Sequence, residues 1–299
     1  MSTSASTSRA TALVVFSACC FGSISILITL AVGSGAPLID LLFWRYAIAA
    51  VLLVMVSRGI AAVRVPARRA IPLLILAGGG QAVVAFTSLS ALRYIPAASL
   101  TFLFYTYPAW VAVISAIRGT DRLTLPRVGA LSLSLAGLAL MIGTPGAGGL
   151  NTIGVVLALT SAVLYALYIP MIMHLGDGLP PAVTSTYATA GAAVIFGGAA
   201  LFLGGLSVHL APLAWSAIAV LAVVSTVLAF LAFLRGLAVI GPVRTAIVST
   251  VEPFWTALLG SVVLGQHFGT RTFVGGLLIA AAVIVLQLGQ RAAVEPHTV

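Results

Sequence analysis

The chain has 299 residues, of which 61% are hydrophobic and only 6% charged, and its mean hydropathy is +1.22. A soluble domain carries about 25% charged residues, and a disordered chain needs low hydrophobicity with high net charge, so both classes are excluded. The formal charge of +9 comes from 14 basic residues, all arginine, against 5 acidic ones. The arginines lie between apolar runs, which is the pattern of a membrane-topology signal and not of nucleic-acid binding.

Apolar runs fall near 10–32, 37–57, 70–92, 96–117, 126–143, 151–173, 181–204, 212–234, 242–264 and 271–289. Each suits a membrane-crossing helix of about 20 residues. The expected fold is therefore all-α integral membrane, with ten transmembrane helices. Met1 to Ser8 reads as a short tail, and the run after Arg9 exceeds a signal-peptide core, so it is the first span. Cys19 and Cys20 are adjacent within it and read as small buried hydrophobes. Breaks carry Gly and Pro, as in Gly33-Ser34-Gly35-Ala36-Pro37, Thr144-Pro145-Gly146 and Gly176-Asp177-Gly178-Leu179-Pro180-Pro181. Gly78-Gly79-Gly80 in span three permits close helix contact; Gly197-Gly198 and Gly204-Gly205 read as packing contacts.

A cytoplasmic N-terminus places Arg9, Arg58, Arg64, Arg68, Arg69, Arg118, Arg122, Arg127, Arg235, Arg244 and Arg291 inside. Arg93 and Arg271 fall outside, and Arg45 lies within span two. The positive-inside rule then predicts both termini in the cytoplasm of a multi-pass inner (plasma) membrane protein.

The halves repeat. Tyr107-Pro108-Ala109-Trp110 and Glu252-Pro253-Phe254-Trp255 stand at an offset of 145, Pro37 and Pro181 at 144, and Val128-Gly129 and Val274-Gly275 at 146. Residues 1–145 and 146–299 are thus expected to be five-helix units. An odd span number makes the second unit enter the membrane inverted, a transporter architecture with its site at midplane.

Several motifs resemble the drug/metabolite transporter superfamily, specifically its ten-helix EamA-type exporters. They are Phe43-Trp44-Arg45-Tyr46-Ala47, Ile95-Pro96-Ala97-Ala98 at the start of span four, Tyr107-Pro108, Glu252-Pro253-Phe254-Trp255 and Leu264-Gly265. Gln266-His267 stands where the family often has an acidic residue, and Phe21-Gly22 where Trp-Gly is commoner. The resemblance implies two EamA repeats, a central cavity, and export of amino acids, other metabolites or drugs.

Glu252 ranks first among site residues. A carboxylate mid-span costs roughly 2.5–3.5 kcal/mol, so it must face a cavity, pair, or take a proton. It is a candidate for substrate binding and proton coupling; a structural acid beside Pro253 is the alternative. Arg45 fits either a substrate carboxylate or a packing role. Pro108 and Pro253 each free a carbonyl four residues earlier, at Phe104 and Ser249, and are candidate hinges. Gln81, Tyr105, Trp110, Tyr165, Tyr168 and Trp255 complete the candidate substrate-binding set, since ring faces with polar handles suit amphipathic substrates; packing is the alternative for each aromatic. Asp40 reads as interfacial, and Ser225 and Thr226 as hydroxyls bonded to their own helix.

No cofactor or metal is expected, because the four histidines show neither metal spacing nor clustering with cysteine. Without lysine there is no phosphate-loop pump motif. The partners expected are a small-molecule substrate and the lipid bilayer, with protons as the candidate coupling ion. Amino-acid export competes with multidrug, cationic or lipid-linked cargo. An intramembrane lipid-acting enzyme is a distant third reading, because no nucleophile with a nearby base is visible.

Overall fold

The computed structural model describes residues 2–57, 59–119, 124–142, 149–267 and 269–294. Arg58, Arg122 and the Thr144-Pro145-Gly146 break, and with it the boundary at 145, lie outside the described residues.

Hydrocarbon offers no water to a bare N–H or C=O, so a lipid-spanning chain must close its hydrogen bonds within each segment. The result is all-helical. Among the described residues, eight helices are long and apolar enough to cross a membrane, and Val128–Ile142 and Thr270–Leu286 are shorter apolar helices. These make up the ten expected spans. Span one is Thr7–Gly33, span two Leu38–Val56, span three Ala67–Arg93 and span four Ala97–Ile117. Span five lies in the helix Leu125–Ile142. Spans six to nine are Thr152–Leu175, Pro181–Phe202, Pro212–Gly241 and Arg244–Leu264. Span ten lies in the helix Thr270–Val294. The first helix begins at Ser2, where the sequence suggested a tail.

Local chemistry sets the ends. Asn151 caps span six by accepting from the amides of Ile153 and Gly154. Span nine stops at Gly265, whose φ of 62° is the left-handed conformation that ends helices. Gly204 and Gly205 also take positive φ, and a Cβ on either would meet nothing within 4 Å; they are turn residues and not the packing contacts expected of them.

Because lipid tails are as apolar as leucine, spans associate through close packing of small residues. Span five packs on ten, two on seven, four on nine, one on eight and three on six. Exchanging the halves leaves this pairing unchanged. Spans two, four and five each meet their own repeat mate, and the one–eight pair maps onto six–three. Glycines permit the nearest approaches. A Cβ on Gly191 of span seven would lie 2.0 Å from the Leu74 carbonyl oxygen, and one on Gly137 of span five 2.6 Å from that of Gly275. Of the span-three glycines, Gly78 meets Gly191 and Gly80 meets Tyr168. Gly198, in contrast, faces open space.

The regular helix is interrupted at matched places. Spans three and eight carry π-helical stretches, Leu73–Ala77 and Val223–Leu228. Spans four and nine are broken at Tyr105–Thr106 and at Thr250. Gly191→Val should therefore lower the thermal stability of the detergent-solubilised protein by about 1–3 kcal/mol, as overpacking does. Gly198→Ala should leave the melting curve unchanged, which makes it the control.

Candidate functional site

Pro253 is the third residue of the helix Val251–Leu264. It has no amide hydrogen, so the Ser249 carbonyl loses its helical partner. The Tyr105 hydroxyl answers from span four, 2.8 Å from that carbonyl oxygen. The same hydroxyl lies 2.9 Å from Glu252 Oε2. Tyr105 belongs to the break of its own span, closing the helix Ala97–Phe104 just before Tyr107–Ile117 begins. The two breaks are built alike. Thr106 Oγ1 donates to the Leu103 carbonyl at 2.7 Å, and Thr250 Oγ1 to the Ile247 carbonyl at 2.6 Å. Pro108 and Pro253 thus stand in the first turn of a new helix.

Span one supplies the third side. It is interrupted at Ser23, whose hydroxyl donates to the Cys19 carbonyl at 2.8 Å. Gly22 is required there by crowding: a Cβ would lie 2.8 Å from the Glu252 carbonyl oxygen and 3.3 Å from Glu252 Cγ. Thr256 Oγ1 donates to the Gly22 carbonyl at 2.8 Å, and Trp255 Nε1 donates to Ser23 Oγ at 3.1 Å. Trp255, expected to bind substrate, ties span nine to the break in span one.

Aromatic rings close the fourth side. Tyr107, the repeat mate of Glu252, meets Tyr165 of span six edge-on, with centroids 4.9 Å apart. Phe104 lies 5.1 Å from Tyr165, and Tyr105 lies 6.1 Å from Tyr107. Tyr105, Tyr107 and Tyr165 are all electrostatic neighbours of Glu252. Glu252 sits deep in the protein yet keeps part of its surface accessible.

A second polar group is centred on Arg45, 6% exposed. Its Nε donates to Thr226 Oγ1 of span eight at 3.2 Å, and its guanidinium carbon lies 5.1 Å from the Tyr46 ring centroid. Thr226 in turn donates to the Leu221 carbonyl five residues back, inside the π-helical stretch. The Tyr46 hydroxyl accepts from Gln81 Nε2 at 3.0 Å. Tyr168 links the two groups. It stacks on Tyr165 with centroids 6.2 Å apart and is an electrostatic neighbour of Tyr46. It is 5% exposed, and its hydroxyl has no hydrogen-bond partner among the described residues.

The sequence-derived candidates thus divide. Tyr105, Tyr165 and Glu252 are brought together, Tyr168 bridges, and Gln81 and Arg45 form the second group. Trp110 is half-buried and takes part in none of these ring contacts or hydrogen bonds. Asp40 is buried, accepting from the Ser207 amide at 3.2 Å, so it anchors the connection before span eight. Sequence reasoning passed over Gly22, Tyr46 and Gln266. Gln266 Oε1 accepts from the Ala97 amide at 3.1 Å, satisfying an orphan donor at the start of span four. Among the described residues no three His, Cys, Asp or Glu side chains are grouped to hold a metal.

The EamA-like transporter family matches the chain twice, over residues 8–143 and 152–288. The chain belongs to this family. It is a multi-pass membrane transporter of the drug/metabolite transporter superfamily. Relatives include the uncharacterized inner membrane transporter YicL of Salmonella typhimurium, 28% identical over 231 residues and covering 74% of each chain. Another is the uncharacterized transporter YcbK of Bacillus subtilis, 29% identical over 191 residues, or 62% of this chain and 61% of that one. A solved crystal structure at 18% identity superposes with a TM-score of 0.67 over 94% of this chain and 98% of its own, which shows the shared fold.

Gly22→Val should crowd Glu252 and separate spans one and nine. Stability should fall by about 1–3 kcal/mol, read as a lowered melting temperature of the purified EamA protein.

Proposed function

We propose that this EamA transporter exports small amphipathic metabolites bearing an amine, amino acids first among them, by alternating access. One observation carries the proposal: a deep, partly accessible carboxylate, Glu252, faces the tyrosine cluster where the breaks of spans one, four and nine meet. An ammonium group gains from both an opposing carboxylate and ring faces, by about 2 kcal/mol or more for a desolvated cation–π contact.

In this reading, residues 1–145 and 146–299 are the two rocking units, with both termini in the cytoplasm. The substrate enters the central space from the cytoplasm, and its amine meets Glu252, Tyr107 and Tyr165. The short helices beginning near Pro108 and Pro253 then shift against Ala97–Phe104 and the end of Ala229–Ser249. Glu252 alternates between substrate and proton, which makes the exporter a proton antiporter.

A second reading is export of cationic compounds without a carboxylate. Its support is that Arg45 Nε is already engaged by Thr226, leaving Glu252 and the rings as the dominant recognition chemistry.

A proteoliposome screen of amino acids and cationic dyes, with and without a pH gradient, tests the proposal. Accumulation driven by an acidic lumen is the expected result. Glu252→Gln should express normally and lose at least about tenfold of that accumulation, the equivalent of one charged hydrogen bond. Full, pH-responsive transport by the variant would remove Glu252 from the mechanism.

A further inference from the structure

The Tyr105 hydroxyl has one proton and two neighbours that need it: the Ser249 carbonyl at 2.8 Å and Glu252 Oε2 at 2.9 Å. A phenol donates once and accepts elsewhere. With Glu252 ionised, Tyr105 serves either the carboxylate or the carbonyl, and the other is left bare at membrane depth. With Glu252 carrying a proton, all three groups are satisfied in series: Glu252 donates to Tyr105, and Tyr105 donates to the Ser249 carbonyl. No carbonyl four residues before an ordinary helical position would need this service. Ser249 does, because Pro253 withdrew its amide partner.

We infer that Tyr105 is a latch joining the proton state of Glu252 to the break of span nine. The proton on Glu252 holds Tyr105 on Ser249 and clamps span four to span nine. When that proton leaves to water, or gives way to a cation, the carboxylate draws the Tyr105 hydroxyl to itself. The Ser249 carbonyl is then released, and the chain around Thr250 loosens. Thr250 still holds the break, through the bonds of its hydroxyl and amide to the Ile247 carbonyl. Tyr105 acts here as a positioning residue, through the backbone of span nine.

Among the described residues, the titratable groups facing Glu252 are Tyr105 and Tyr107 from span four and Tyr165 from span six. Span one brings the backbone of Gly22, with Cys19 and Cys20 on the preceding turn. Phenols and thiols ordinarily lose their protons well above the carboxyl range, so Glu252 supplies the pH response of the latch. The inference shares with the proposed function the assignment of Glu252 as the acid of the site, but it needs no transported substrate.

The test is hydrogen–deuterium exchange of the full chain in lipid nanodiscs, without substrate, followed across the peptide at 249–256 and corrected for the intrinsic pH dependence of exchange. In the wild type, exchange there should be slow at low pH and rise roughly tenfold as Glu252 ionises, the scale of one hydrogen bond to a charged group. Tyr105→Phe, which keeps the ring and removes the hydroxyl, should exchange fast at both pH extremes. Glu252→Gln retains a donor for Tyr105 and should stay slow at both. A wild-type pH response surviving in Tyr105→Phe, or in Glu252→Gln, would overturn the latch. Loss of substrate accumulation with these exchange patterns intact would instead count against the proposed function alone.

Discussion

A polar group inside hydrocarbon must find a partner, and this constraint decides where the protein can bend. Breaks in the spans free backbone groups at membrane depth, and specific side chains answer several of them. Thr106 and Thr250 turn back onto carbonyls three residues earlier, and Tyr105 crosses between spans to reach Ser249. Gln266 crosses likewise to the Ala97 amide. Spans four and nine are therefore joined at two levels, through Gln266 at one end and Tyr105 at the breaks. The rest of the site depends on these ties, because they fix the short helices that carry Tyr107 and Glu252.

Much of this organisation was legible in the sequence. Apolar run length and glycine–proline punctuation located the spans, since both follow from the bilayer's thickness and from backbone chemistry. The common offset pointed to matched breaks, and the cost of a mid-span carboxylate singled out Glu252. Contacts made across great sequence distance were not legible. Nothing in Phe21-Gly22 says that its neighbour is the Glu252 backbone, 230 positions away. Tyr46 gave no sign that it would receive Gln81, nor Arg45 that it would be met by Thr226. The π-helical stretch that presents Thr226 has no composition of its own. Tyrosine at membrane depth was visible as a class, but which tyrosines share a wall was decided by helix pairing.

The two halves share a scaffold and differ in chemistry. Where the first half places Tyr107 ahead of its proline, the second places Glu252. Two residues lead from Thr106 to Pro108, but three lead from Thr250 to Pro253. The second half thus carries one residue more at its break, next to the carboxylate. Symmetry also fails in the partners. Gly22 of span one lets the Glu252 backbone come close, whereas span six meets Tyr107 with the Tyr165 ring.

That asymmetry gives the pseudo-two-fold frame a directional centre. A strictly symmetric pair of breaks would present the same chemistry from either half. One carboxylate against three phenols makes one side acidic and the other aromatic. The buried Tyr168 hydroxyl continues the phenolic surface toward Tyr46, Gln81 and Arg45, where the charge is reversed. Ring contacts thus run from beside the acid through Tyr107 and Tyr165 to Tyr168, on spans four and six. Glu252 and Arg45 are held by different pairs of spans, nine with four and two with eight. Under the alternating access proposed above, displacing one half against the other changes the separation of the two charges, and with it what the site can hold.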